Sequence, residues 1–180
     1  IKIGMLHAPE IVDVVAWEID HYQLKNVVLD PVMVATSGDR LIASETVQVL
    51  VRELFPRATL ITPNLDEAVL LLGREISDAS VLELAGRDLL AMGAHAVLLK
   101  GGHLPGDDLI DLLVQPNTPS ERLSSRRIHS NNVHGTGCTL SSAIASHWAL
   151  GLYLTEAVVQ ARGYILAAIQ AGASVTTGKG

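Results

Sequence analysis

The sequence predicts an α/β fold built on a parallel sheet with right-handed crossovers. Short apolar runs at 26–30, 58–62 and 94–100 read as buried parallel strands. Segments with helical spacing separate these runs, the alternation expected of βαβ units. Hydrophobic residues make up 48% of the 180 positions and charged residues 18%, which excludes a disordered chain and fits a single domain. Aromatic residues are only 3%, so the core must be mostly Leu, Val, Ile and Ala.

The elements follow in order. Residues 1–6 are apolar and β-branched, the pattern of a strand. Pro9 suits a first helical turn, and Ile11, Val14, Val15, Ile19 and Tyr22 continue with helical spacing, so 9–24 is predicted as a helix. The run 26–30 is the second strand and 31–43 a loop containing Ser37-Gly38-Asp39. Ser44 is the expected N-cap of a helix over 45–54 that Pro56 stops. After the strand 58–62, Pro63-Asn64 breaks the chain and a short helix runs over 64–72 to Gly73. Asp78 is the expected cap of a helix over 79–92, closed by Gly93. The strand 94–100 ends in Lys100-Gly101-Gly102-His103, and 109–114 with 122–128 reads as an antiparallel pair. A polar, Gly-rich turn over 131–137 leads into Ala/Leu-rich helices over 136–150 and 155–171. Trp17, Trp148 and Tyr164, at helical spacing among apolar neighbours, are expected in the core.

Several function classes are excluded or disfavoured at once. A net charge of −6 argues against a nucleic-acid backbone binder. No apolar run is long enough to span a bilayer. The lone Cys138 excludes an internal disulfide framework and fits a reducing, cytoplasmic setting. The seven histidines (7, 21, 95, 103, 129, 134 and 147) show no zinc-ligand spacing. The chain opens at Ile1 without an initiator Met or a signal-peptide n-region, in residues that read like the inside of a buried strand. This favours part of a longer protein.

In open parallel sheets ligands sit beyond the carboxyl ends of the strands, and polar residues cluster at those ends here. In Asn132-Val133-His134-Gly135-Thr136-Gly137-Cys138-Thr139, two glycines flank a Thr just before a helix. Backbone N–H groups there can turn inward as an anion nest, where the helix dipole also favours negative charge. Cys138 falls in the first turn, where it can act as general base for a substrate hydroxyl. The same pattern also fits a tight turn with Cys as a small apolar residue. Asp30, at a strand end before Pro31, can hold a cation or polarise a hydroxyl, or simply initiate a turn. Asn64 and Glu67 share one helical face; their oxygens suit hydrated Mg²⁺, and equally a capping box. Lys100 over Gly101-Gly102 can neutralise phosphate oxygens or reach solvent. Together these parts suit metal-assisted phosphoryl transfer.

Gly135-Thr136-Gly137-Cys138 resembles the Gly-Ala-Gly-Asp anion-hole signature of ribokinase-like kinases, with Cys in place of the usual Asp. With Lys-Gly-Gly-His and Thr-Pro-Asn-x-x-Glu upstream, the pattern is similar to the hydroxymethylpyrimidine and hydroxymethylpyrimidine-phosphate kinases of thiamine biosynthesis. Lys2-Ile3-Gly4-Met5-Leu6 and Val28-Leu29-Asp30-Pro31-Val32-Met33 also match that family, and the resemblance runs through the whole chain in order. It implies a ribokinase-like three-layer α/β/α fold with a mostly parallel central sheet lacking its N-terminal strands. It also implies one kinase domain over 1–180, incomplete at the amino end and slightly at the carboxyl end.

The implied activity is ATP-dependent phosphorylation of 4-amino-5-hydroxymethyl-2-methylpyrimidine and then of its monophosphate, in a cytoplasmic homodimer. Cys138 would take the hydroxymethyl proton; Gly135, Thr136 and Gly137 would form the anion hole; Lys100 would bind nucleotide phosphates. Asp30, Asn64 and Glu67 would organise Mg²⁺ and its waters, while Met5 and Val32 would line the pyrimidine pocket. Two alternatives stand beside this reading: a pyridoxal kinase of the same superfamily, and a non-catalytic nucleotide- or pyrimidine-binding module.

Overall fold

The structure, a computed structural model, describes residues 1–35, 38–76, 78, 81–102 and 107–175. Its centre is a six-stranded sheet whose spatial order follows the chain. Strands β1 (Lys2–Ile3), β2 (Val28–Leu29), β3 (Leu60–Ile61) and β4 (Val97–Leu99) run parallel. β5 (Asp108–Val114) and β6 (Glu121–Arg126) close the sheet as the expected antiparallel pair. The parallel strands are shorter than predicted, each spanning two or three residues. Backbone pairing still carries past the strand ends: Asp30 N–H donates to the Ile3 carbonyl at 2.9 Å and Thr62 N–H to that of Leu29 at 3.0 Å.

Among the described residues, six α-helices flank the sheet: α1 (Pro9–His21), α2 (Ser44–Glu53), α3 (Leu65–Leu72), α4 (Leu82–Ala91), α5 (Thr136–Ala149) and α6 (Leu154–Gly172). Right-handed crossovers between successive neighbours place every connecting helix on one face. Accordingly Ile3, Leu29, Ile61, Val97 and Leu99 pack with residues of α1 through α4 in one core. The alternate residues Val28, Leu60 and Leu98 pack against Leu140 and Ile144 of α5 and Val158 of α6 in a second. The period-2 alternation of the strands thus divides the sheet between two layers of helices. The chain has a three-layer α/β/α architecture.

Several local expectations need correction. α1 ends at His21, and Gln23 takes a positive φ of 51°. Its buried stripe is Val12, Ala16 and Ile19, while Ile11, Val14 and Tyr22 face outward. Trp17 and Tyr164 are exposed, at 56% and 57%, because each lies on the side of its helix turned from the sheet. Trp17 instead stacks on His21, with ring centroids 4.4 Å apart. Trp148 alone of the three packs against a core. Ser44 is the first residue of α2 and not its cap; Ala43 holds the cap position and the Ser44 hydroxyl accepts from Arg40. α4 begins at Leu82 with Val81 at its cap, so Asp78 does not cap it; residues 79 and 80, where its start was expected, lie outside the described residues. Gly73 and Gly93 do end their helices as expected, with φ of 65° and 118°.

The turn after β4 is set by a backbone contact. A Cβ at Gly101 would lie 1.9 Å from the Ile110 carbonyl oxygen, so no side chain fits there without separating β4 from β5. Gly101→Ala is expected to destabilise the protein by about 1–3 kcal/mol, as for overpacking elsewhere. Urea denaturation would read this as a lowered midpoint, and an unchanged midpoint would contradict the tight approach.

Candidate active site

The alternation that builds the two cores also builds the site. Asp30, Thr62 and Lys100 each follow by two residues a strand position that packs toward α5: Val28, Leu60 and Leu98. All three side chains therefore rise on the α5 side at the carboxyl ends of β2, β3 and β4. There they meet. Thr62 Oγ1 donates to Asp30 Oδ1 at 3.0 Å, and Lys100 Nζ to the same oxygen at 3.1 Å. Ser141 Oγ of α5 reaches Asp30 Oδ2 at 3.3 Å, and Lys2 Nζ lies 3.9 Å from that oxygen. Asp30 is 1% exposed, so its charge is held by donors on both oxygens rather than by water.

The glycine loop lies against this cluster. Gly135, at the N-cap of α5, has a φ of 77°, which a side chain rarely adopts. Thr136 and Thr139 turn their hydroxyls onto the Val133 and Gly135 carbonyls, which fixes the loop. The first-turn N–H groups of Gly137 and Cys138 have no intrahelical acceptor by helix geometry. A Cβ at Gly137 would stand 3.2 Å from Lys100 Nζ, so the ammonium rests directly against the nest. Cys138 is exposed in the same turn. An anion seated here would meet backbone donors, the positive end of a helix and a lysine together.

The Asn64/Glu67 pair forms the capping box that its spacing allows. Glu67 N–H donates to Asn64 Oδ1 at 2.9 Å and Asn64 N–H to Glu67 Oε2 at 2.7 Å, a complete capping box for α3. Glu67 is also buried, at 2% exposure. Burial pushes its carboxyl up from 4.5 to about 7; the Asp30 charge adds to the rise, while Lys100 and the N–H groups of Asn64 and Met33 oppose it. This is a carboxylate short of positive charge, one that a cation would satisfy. Asp30 accepts from Thr62 and Lys100 on Oδ1 and has Ser141 and Lys2 nearest to Oδ2, so in this arrangement it is the counter-ion of the lysines. Among the described residues no three His, Cys, Asp or Glu side chains converge as a metal site.

Met5 and Val32 stand on the same rim, just past β1 and β2; Met5 is half exposed and Val32 half buried. His103, expected at the end of the Lys-Gly-Gly-His motif, lies outside the described residues. The sequence reading assigned no role to Lys2, Thr62 or Ser141. The two-residue offset from Val28, Leu60 and Leu98 would have found Thr62. A separate cleft, lined by Thr59, His95, Ala96, Gln115, Trp148 and Tyr153, opens at the amino-terminal ends of β3 and β4, the far end of the sheet from this cluster.

Comparison with known proteins is decisive at this point. Residues 1–180 match the family model described as phosphomethylpyrimidine kinase. The chain belongs to the phosphomethylpyrimidine kinase family. It is 45% identical to a hydroxymethylpyrimidine/phosphomethylpyrimidine kinase of Rhizobium meliloti, over 100% of the chain and 67% of that protein. It is also 45% identical to a thiamine biosynthesis bifunctional protein of Geobacter sulfurreducens, of which it spans 36%. Among solved structures, an ADP complex of Bacillus subtilis pyridoxal kinase matches with a TM-score of 0.86 and 38% identity, over 94% of this chain and 64% of that one. The fold expected from the resemblance, ribokinase-like α/β/α, is the one observed. No helix among the described residues of this family member is long and apolar enough to cross a membrane.

The Glu67 environment predicts a pH dependence. Because its folded value is raised from 4.5 to about 7, its contribution to stability is present below 4.5 and is lost as pH rises through about 7. The raised value corresponds to about 3 kcal/mol. Thermal or urea unfolding of wild type against Glu67→Gln, which keeps a capping acceptor, should show the wild type losing stability across that window relative to the variant. Parallel profiles would rule out a buried, proton-binding Glu67.

Proposed function

We propose that the chain phosphorylates 4-amino-5-hydroxymethyl-2-methylpyrimidine and its monophosphate with ATP, as part of thiamine biosynthesis. The observation that carries this reading is the Lys100 ammonium, tied to buried Asp30 and pressed against Gly137 of the anion nest, with Cys138 in the same helical turn. The nest and Lys100 bind the transferring phosphoryl group and spread its developing charge over fixed donors. Cys138 Sγ takes the proton from the substrate hydroxyl as that oxygen bonds to the γ-phosphorus and ADP departs. Gly135, Thr136 and Gly137 supply the backbone around the phosphoryl oxygens. Glu67, with Asn64 beside it, would hold a nucleotide-borne Mg²⁺ through water, and that ion would supply neutralisation of phosphate charge. Met5 and Val32 line the pyrimidine side. A homodimer and a cytoplasmic setting complete the reading.

The names of the relatives support this reading over pyridoxal: those at 45% identity are named for the pyrimidine and for thiamine biosynthesis, whereas the pyridoxal kinase structure stands at 38%.

ATP-dependent turnover should be measured with the hydroxymethylpyrimidine, its monophosphate and pyridoxal under identical conditions. The two pyrimidines are expected to turn over faster. Faster turnover of pyridoxal would reassign the substrate, and nucleotide binding without turnover of any of them would favour a non-catalytic module. Cys138→Ala is expected to lower kcat by about 10²–10⁴-fold, the usual contribution of a positioned general base. A variant with unchanged kcat would remove Cys138 from that role.

A further inference from the structure

The cluster contains a second lysine that the phosphoryl-transfer reading does not use. Lys2 lies on β1, and its neighbour Ile3 packs toward α1 through α4, so Lys2 projects to the α5 side, as Asp30 does. Its course along the strand is recorded by Gly4. A Cβ at Gly4 would stand 3.0 Å from Lys2 Nζ. Lys2 and Gly4 share one face of the strand, so the lysine chain runs forward over the glycine toward the carboxyl end of the sheet. Its ammonium arrives 3.9 Å from Asp30 Oδ2, on the opposite oxygen from the one that Lys100 contacts at 3.1 Å.

The two lysines are placed differently. Lys100 is within hydrogen-bond distance of Asp30 and presses on the nest. Lys2, with 19% of its side chain exposed, is too far from Asp30 for a hydrogen bond, and it lies on the strand that leads to Met5 at the rim. One carboxylate thus carries two ammonium groups, Lys100 toward the glycine loop and Lys2 on the β1 side. The two pyrimidine substrates differ by a phosphate, which adds about −1.5 to −2 charges and three acceptor oxygens. We infer that Lys2 binds the phosphate of the monophosphate substrate, and so sets how well the second phosphorylation proceeds relative to the first. This rests on the pyrimidine kinase reading above. Asp30 holds Lys2 near the rim without occupying its donors, and Gly4 leaves the path that the side chain needs.

The test compares kcat/KM for the hydroxymethylpyrimidine and for its monophosphate in the active enzyme with Lys2, Lys2→Met and Lys2→Gln. The ratio of the monophosphate value to the hydroxymethyl value is expected to fall about 10- to 100-fold in both variants, the effect of losing a charge-assisted hydrogen bond, with most of the loss in KM for the monophosphate. Melting curves establish that each variant is folded, and the ratio is read on whichever of the two retains its transition. If both substrates lose kcat/KM equally while wild type turns over both, the kinase reading stands and the Lys2 assignment is overturned: the lysine then serves only as Asp30's counter-ion. If wild type turns over neither compound, the kinase reading fails and the assignment falls with it.

Discussion

A single buried carboxylate organises this molecule. Leaving Asp30 ionised without partners would cost several kcal/mol in the interior. The fold answers that cost with Thr62 from β3, Lys100 from β4, Ser141 from α5 and Lys2 from β1. Four elements that share no local sequence are thereby drawn to one point. No buried side-chain polar atom among the described residues is left without a hydrogen-bond partner, although charged groups reach deep between the sheet and α5. The same requirement places chemistry at the carboxyl edge of the sheet. Lysines gathered to neutralise Asp30 are thereby brought beside the glycine loop of α5.

Small residues matter here for the space they leave. Gly4 leaves a path for Lys2, and Gly137 lets Lys100 approach the nest. Gly101 lets β4 and β5 come close enough to fix the residue before it, which is Lys100. Each glycine thus acts on a neighbouring cation. Asn64 and Glu67 are similarly bound to a structural duty, since the carboxyl that faces the lysines also closes the first turn of α3. Substitutions that tune charge in the site therefore disturb helix capping as well.

Much of this was legible in the sequence. Asp30, Asn64 and Lys100 each stand where an apolar run gives way to polar residues, and the alternation of runs and helical segments indicated that those places share one rim. The glycine loop before α5 was legible for the same reason. Convergence on Asp30 was not. It depends on the register of β1 against β2 and on the reach of lysine side chains, neither of which spacing encodes. The orientation of α1 was misread because apolar residues lie on more than one side of it, and only the position of the sheet decides that Val12, Ala16 and Ile19 are the buried ones. Ser44 departs from its expected cap role because a Ser near a helix start has other ways to satisfy its oxygen; it accepts from Arg40.

The Asp30 contacts also carry a temporal consequence. Thr62 is 32 residues away in sequence, Lys100 is 70 and Ser141 is 111. As the chain is synthesised, the first strands and their helices can collapse long before α5 exists. Asp30 must then stay hydrated at an open sheet face until the last third of the chain arrives. Closing loops of that length is entropically costly and slow. The burial of Asp30 thus depends on contacts that span most of the chain, and it is completed by α5, the helix that also completes the second hydrophobic core.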